Sequence, residues 1–138
     1  MKNVYPVIFT QTEKNILVEV PDFEILTEGK DITDAISMAR DAIGLKGISL
    51  EDDGIDMPCP TKTNDIDLKN STFADEGETY LSLVDVDFVE YRRKFDNKTV
   101  RRNVTIPNWL NQEAEKAKLN VSKVLQEALI SRLGLQNK

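Results

Sequence analysis

The chain is 138 residues long, enough for one ordinary domain or a small domain with an appended module. Its net charge of -6 conceals an asymmetry: residues 1–90 carry 7 Lys/Arg against 20 Asp/Glu, a net -13, while residues 91–138 carry 11 against 4, a net +7. With one cysteine and no histidine, an intrachain disulfide, a Cys/His zinc site and imidazole acid–base catalysis are all excluded. An acidic body with a basic tail predicts two kinds of partner, one basic and one polyanionic. The apolar run Val7-Ile8-Phe9 is too short for a signal segment, and no stretch approaches membrane-spanning length, so a cytoplasmic protein is expected.

Taken in chain order, Val4–Thr10 and Ile16–Val20 read as strands separated by a polar turn, with a third strand over Phe23–Thr27. Asp31 then offers an N-cap, with Asp34 three residues on. Ile32, Ala35, Ile36, Ala39 and Ile43 follow the spacing of one buried helical stripe, and Gly44 marks the expected stop. The polar stretch Lys46–Glu78 reads mostly as loop and contains Pro58-Cys59-Pro60, where the lone Cys59 is expected to be inert. Tyr80–Val89 alternates as a strand, with Tyr80, Val84, Val86 and Phe88 on one face and Asp85 and Asp87 on the other. Strands and one helix in this order predict an α+β front domain.

Asp85 and Asp87, two apart on a strand, could in principle hold a divalent cation with help from Glu13 or Glu19. A solvated strand face accounts for the pair more simply. No glycine-rich phosphate loop or Gly-x-Ser-x-Gly elbow is present.

The tail begins with a basic connector, Tyr91–Thr99. Residues 101–106 then alternate: Val104 and Ile106 point one way, Arg101, Asn103 and Thr105 the other, until Pro107 stops the strand. A strand this short, with no partner nearby in its own chain, is most simply paired with the same strand of a second copy. The resulting antiparallel ribbon fits the DNA major groove, and Arg101, Asn103 and Thr105 are residue types that read base edges there. A helix is predicted from about Pro107 to Lys118, with Leu110, Ala114 and Ala117 on one stripe and Asn120 as its left-handed terminator. A second helix is predicted with Ser122 as its cap, Val121, Val124, Leu125, Ala128 and Leu129 as its stripe, and Gly134 at its close. Its N-terminal turn, Ser122, Lys123 and Val124, is a candidate phosphate site.

Val104-Thr105-Ile106-Pro107-x-Trp109-Leu110, with Asn120 to Leu129, resembles a ribbon-helix-helix domain, and specifically the tail of HicB-family antitoxins. Tyr5-Pro6-Val7-Ile8-Phe9, Val20-Pro21-Asp22-Phe23 and Asp31-Ile32-Thr33-Asp34-Ala35 resemble the front of the same family. The resemblance implies a partial ribonuclease-H-like front domain, residues 1–90, that neutralises a small basic RNA-cleaving toxin of the HicA type, whose histidine lies on the toxin. It implies a linker over 91–99 and a ribbon-helix-helix domain over 100–138 that forms a homodimer and represses the shared operon at its operator. It further implies pairing of front domains into higher assemblies, no enzymatic activity and no cofactor. Where many relatives carry a Pro-Asp-Leu-Pro-Gly-Cys-like turn, this chain reads Pro21-Asp22-Phe23-Glu24-Ile25-Leu26-Thr27, so an earlier third strand and an altered toxin contact are expected. Two alternatives stay open: a metal-dependent nuclease built on Asp85 and Asp87, and a stand-alone transcription factor sensing a small ligand.

Overall fold

A computed structural model describes residues 2–96 and 98–135. The chain divides into two compact units, Met1–Lys98 and Thr99–Lys138.

The first unit is a four-stranded antiparallel sheet in the order β3-β2-β1-β4, backed on one face by a long helix. Strands β1 (Lys2–Gln11) and β2 (Ile16–Val20) join through a turn in which the Thr12 hydroxyl accepts from the amides of Lys14 and Asn15, at 3.2 and 3.0 Å. β1 and β2 are the two inner strands. β1 pairs along its whole length with β4 (Glu78–Asp87), from Lys2 opposite Asp87 to Gln11 opposite Glu78. Tyr5, Val7 and Phe9 of β1, Ile16, Val18 and Val20 of β2, and Val84 and Val86 of β4 form the core beneath the helix.

The third strand, β3, spans Ile25–Gly29 rather than starting at Phe23. Pro21–Phe23 instead form a 3-10 turn that drives Phe23 into the core, edge-on to Tyr5 at 4.8 Å. Glu24 then turns the chain through a left-handed conformation at φ 53°. The early start expected from the departure in this turn therefore does not occur, because burial of Phe23 outweighs its strand propensity.

Helix α1 (Ile32–Asp52) opens as anticipated, with the Asp31 carboxylate accepting from the Asp34 amide at 2.8 Å. The Asp34 carboxylate reaches back to the Lys30 amide at 2.8 Å. Ala35, Ala39 and Ile43 are buried against the sheet, but Ile32 is exposed and Ile36 half-buried. The helix does not stop at Gly44. It continues for two more turns because Gly44 and Gly47 are packing notches: a Cβ at Gly47 would lie 2.2 Å from Phe88 Cε1, and one at Gly44 would lie 2.5 Å from Tyr91 Cγ.

Those two aromatic residues belong to α2 (Phe88–Phe95), a helix where the sequence predicts the end of a strand and a basic connector. The Asp87 carboxylate caps it, accepting from the Val89 and Glu90 amides at 3.1 and 3.3 Å. Phe88 is buried, the Tyr91 hydroxyl donates to Asp41 at 2.5 Å, and Arg92 pairs with Asp52 at 2.9 Å, Glu51 at 3.4 Å and Asp96 at 3.5 Å. Part of the basic run is thus consumed in docking α2 onto α1.

The loop expected over Lys46–Glu78 is shorter than its composition suggests: residues 46–52 continue α1 and Glu78 opens β4. Residues 53–77 between them form no strand or α-helix, with two 3-10 turns, Thr63–Asp65 and Leu68–Asn70, within them. Side chains tie this segment to the sheet. Tyr5 donates to the Pro58 carbonyl at 2.9 Å, Asp22 accepts from the amide and hydroxyl of Thr61, and Glu19 accepts from the amide and hydroxyl of Thr72 at 3.0 and 2.7 Å. Burial, the largest influence, and the charge of Asp22 hold the Tyr5 phenol protonated beyond its ordinary range. Cys59 is exposed in the segment.

In the second unit, residues 99–107 carry neither strand nor helix. Helices α3 (Asn108–Lys116) and α4 (Val121–Arg132) follow, and no residue of either is buried. The left-handed residue between them is Lys118, at φ 54°, and not Asn120. Gly134, at φ 69°, closes α4.

Candidate functional site

Asn120, not Ser122, is the N-cap of α4: its side chain accepts from the Lys123 amide at 3.1 Å, and its carbonyl accepts from the Val124 amide at 3.0 Å. Ser122 therefore sits inside the first turn with Lys123 and Val124, and all three side chains are exposed. Both Asn120 and Ser122 are good caps by residue type. The choice falls to Asn120 because Lys118 takes the left-handed position and brings the chain round earlier.

Arg101, Asn103 and Thr105 lie in the extended segment ahead of α3, and all are exposed. Arg101 and Ser122 are brought together in a cleft of about 520 Å³ whose walls also include Arg102, Leu125, Gln126 and Leu129. Asn103, Thr105, Lys123 and Val124 do not line it. Arg102 and Gln126 escape a reading of the sequence because Arg102 shares the parity of Val104 and Ile106, and Gln126 lies off the apolar stripe; only the packing of the segment against α4 unites them.

Apolar side chains in this unit lack cover. Val104 is 53% exposed, Leu110 41%, Val124 44% and Leu129 51%, values far above those of core residues in the first unit.

In the first unit the two strand aspartates have structural partners. Asp85 receives Lys2 Nζ at 3.3 Å and Arg40 NH2 at 3.1 Å, and Arg40 Nε also donates to the Asp85 carbonyl at 3.0 Å. The Arg40 and Lys2 hydrogen bonds hold the Asp85 carboxyl below its usual range. Asp87 is engaged as the cap of α2, and Glu19 binds Thr72. Among the described residues no three His, Cys, Asp or Glu side chains gather as a metal site would require, and no helix is long and apolar enough to cross a membrane. By unit, residues 1–98 carry 11 Lys/Arg against 21 Asp/Glu, a net -10, and residues 99–138 carry 7 against 3, a net +4.

Among the described residues the fold is that of a small mixed α/β protein, with a four-stranded antiparallel sheet and four helices, and it is similar to known antitoxin structures. The family model for the HicB-like antitoxin of bacterial toxin–antitoxin systems matches residues 5–130, and the chain belongs to that family. A chain of a toxin–antitoxin complex from Streptococcus pneumoniae is similar at a TM-score of 0.61 and 26% identity, over 96% of this chain and 99% of that one. The antitoxin HicB of Burkholderia pseudomallei shares the fold at a TM-score of 0.50 and 24% identity, over 95% of this chain and 96% of that one. The antitoxin HicB3 shares it at 0.50 and 18%, over 99% and 89%. No curated protein sequence matches the chain.

Proposed function

We propose that this antitoxin acts by stoichiometric binding, with a different partner for each unit. The first unit, read as a partial ribonuclease-H-like platform, covers a small basic RNA-cleaving toxin of the HicA type. The second pairs with another copy into a ribbon-helix-helix module that binds operator DNA and represses the antitoxin's own operon. The similar Streptococcus pneumoniae chain comes from a toxin–antitoxin complex, which supports the toxin partner.

The observation that carries the DNA-binding half is the absence of any buried residue in α3 and α4, beside an extended segment of strand-like alternation. Burying a large apolar side chain is worth about 1.5–3 kcal/mol, and a lone copy of this unit forgoes most of that gain. A second copy laying its residues 101–106 antiparallel to the first would pair both backbones. It would place Val104 and Ile106 over the helices and leave Arg101, Asn103 and Thr105 outward for base edges. Ser122 and Lys123, in the first turn of α4 with Val124, would then approach phosphate through their side chains. Their helix end favours anions, although Asn120 has already taken the Lys123 and Val124 amides.

The ion pairs of Asp85 and the capping role of Asp87 favour binding over metal-dependent cleavage, since both carboxylates are already engaged.

The test uses the purified full chain with the operon's upstream DNA and the toxin encoded beside it. Arg101→Ala is expected to weaken operator binding by about 1–3 kcal/mol and to leave non-operator binding nearly unchanged, whereas Lys123→Ala lowers both and reduces the salt slope. Equal loss on every duplex for Arg101→Ala would remove it from base reading. Undiminished RNA cleavage with a molar excess of the full chain would end the antitoxin half.

A further inference from the structure

The sheet has two outer edges, and their side chains are differently occupied. On β4, Asp85 is held by Lys2 and Arg40, Asp87 caps α2, and the Leu68–Asn70 turn packs on the strand. On β3, whose main neighbours are β2 and α1, Leu26 is 55% exposed, and exposed Glu24 and Glu28 lie two positions to either side. Leu26 and Glu28 share the face turned away from α1, because Leu26 pairs opposite Glu19 while Ile25 packs on the core, and Glu24 stands in the left-handed turn just before the strand. Glu28 also accepts from the Asn15 side-chain amide at 2.7 Å. The strand is firmly seated from behind, yet its five residues contain no lysine or proline, the residues that usually protect an edge.

We propose that the outer edge of β3 is a docking surface for a basic protein partner, which adds an extended strand of its own along Ile25–Gly29. The inference rests on the toxin-neutralising function proposed above and names the surface that performs it. Main-chain groups of the added strand supply affinity, and alternate side chains supply selectivity. Period two places an apolar partner residue beside Leu26 and a cationic one beside Glu28. The net charge of -10 on this unit has the sign that speeds approach of such a partner.

Charge also argues against a second copy in the same place. Two first units, each at net -10, repel one another as their edges approach, which a basic partner does not.

The test is amide hydrogen exchange on the full chain, alone and with the toxin encoded beside it, together with binding titrations of the wild type and Leu26→Lys. Leu26 is exposed, so the variant is expected to keep the wild-type circular dichroism and to bind the toxin about 10-fold or more weakly, because it sets a cation against a cationic partner strand. Amides within Ile25–Gly29 are expected to gain protection in the complex. Tight binding with no change at β3, or with protection at β4 instead, would overturn the docking surface and leave the antitoxin function standing. Failure of the wild type to bind the toxin at all would sink that function and this surface with it. Protection at β3 that rises with protein concentration in the chain alone would mark an interface between copies, contrary to the proposal.

Discussion

At the scale of single residues, Gly44 and Gly47 show how a local signal is overruled by a distant contact. Glycine costs a helix about 1 kcal/mol relative to alanine and commonly ends one, so the sequence alone reads Gly44 as a terminator. In the fold each glycine instead leaves the space that an aromatic ring of α2 fills. Gly47→Ala is therefore expected to destabilise the protein by about 1–3 kcal/mol through overpacking against Phe88, despite its better helix propensity. Urea unfolding checks this through a lowered midpoint; a raised midpoint would mean that Phe88 does not occupy the notch. Asp85 and Asp87 teach a similar lesson. Their spacing is compatible with a metal pair, but one is drawn to Lys2 and Arg40 and the other to the first amides of a helix.

At the scale of elements, α2 is the part least visible in the sequence. Eight residues with three cations, beginning on a strand-like alternation, resemble a linker more than a helix. The helix forms because Asp87 caps it and because Phe88, Tyr91 and Arg92 find partners on α1, some forty to fifty residues away. Tyr91 gives this docking a pH signature. Burial foremost, and then the hydrogen bond to Asp41, push its phenol well above the ordinary 10.0. A pKa raised on folding favours the protonated group in the native state. The contribution is complete below pH 10.0 and is lost as pH climbs towards the folded value. Wild-type stability should thus fall more steeply above pH 10 than that of Tyr91→Phe, as followed by thermal unfolding in alkaline buffers. Parallel slopes for the two proteins would mean that Tyr91 is solvated and α2 is not docked through it.

At the scale of the whole molecule, the two compact units carry opposite charge and have unlike interiors: the first has a full hydrophobic core and the second has none of its helical residues buried. This contrast predicts a division of labour in which the first unit suffices to block a toxin. The fragment must extend to residue 98, since a cut after residue 90 would remove Tyr91 and Arg92 from their seats on α1. Fragment 1–98 is expected to protect RNA from the toxin as well as the full chain does, and fragment 1–90 to protect it less. Full cleavage in the presence of a folded 1–98 fragment would place the inhibitory surface in the second unit or in the dimer. The second unit by itself, residues 99–138, should sediment as a dimer at micromolar concentration, and a folded monomer would contradict the need for a shared core.

The sequence by itself determined what depends on neighbours along the chain. The periods of β1, β2 and most of β4, the Asp31 start of α1, the α3–α4 pair and the loop character of most of Lys46–Glu78 all follow from spacing and caps a few residues apart. Family membership was legible for a related reason, since short motifs with fixed internal spacing fall at both ends of the chain. Contacts between distant residues were decided only by the tertiary structure. These include the extension of α1 past two glycines, the helix in place of a basic connector, the turn that buries Phe23, and the partners that occupy Asp85 and Asp87. Each depends on which side chain arrives opposite another after the sheet has closed, and burial and charge pairing at that point outweigh propensities of about 1 kcal/mol or less per residue.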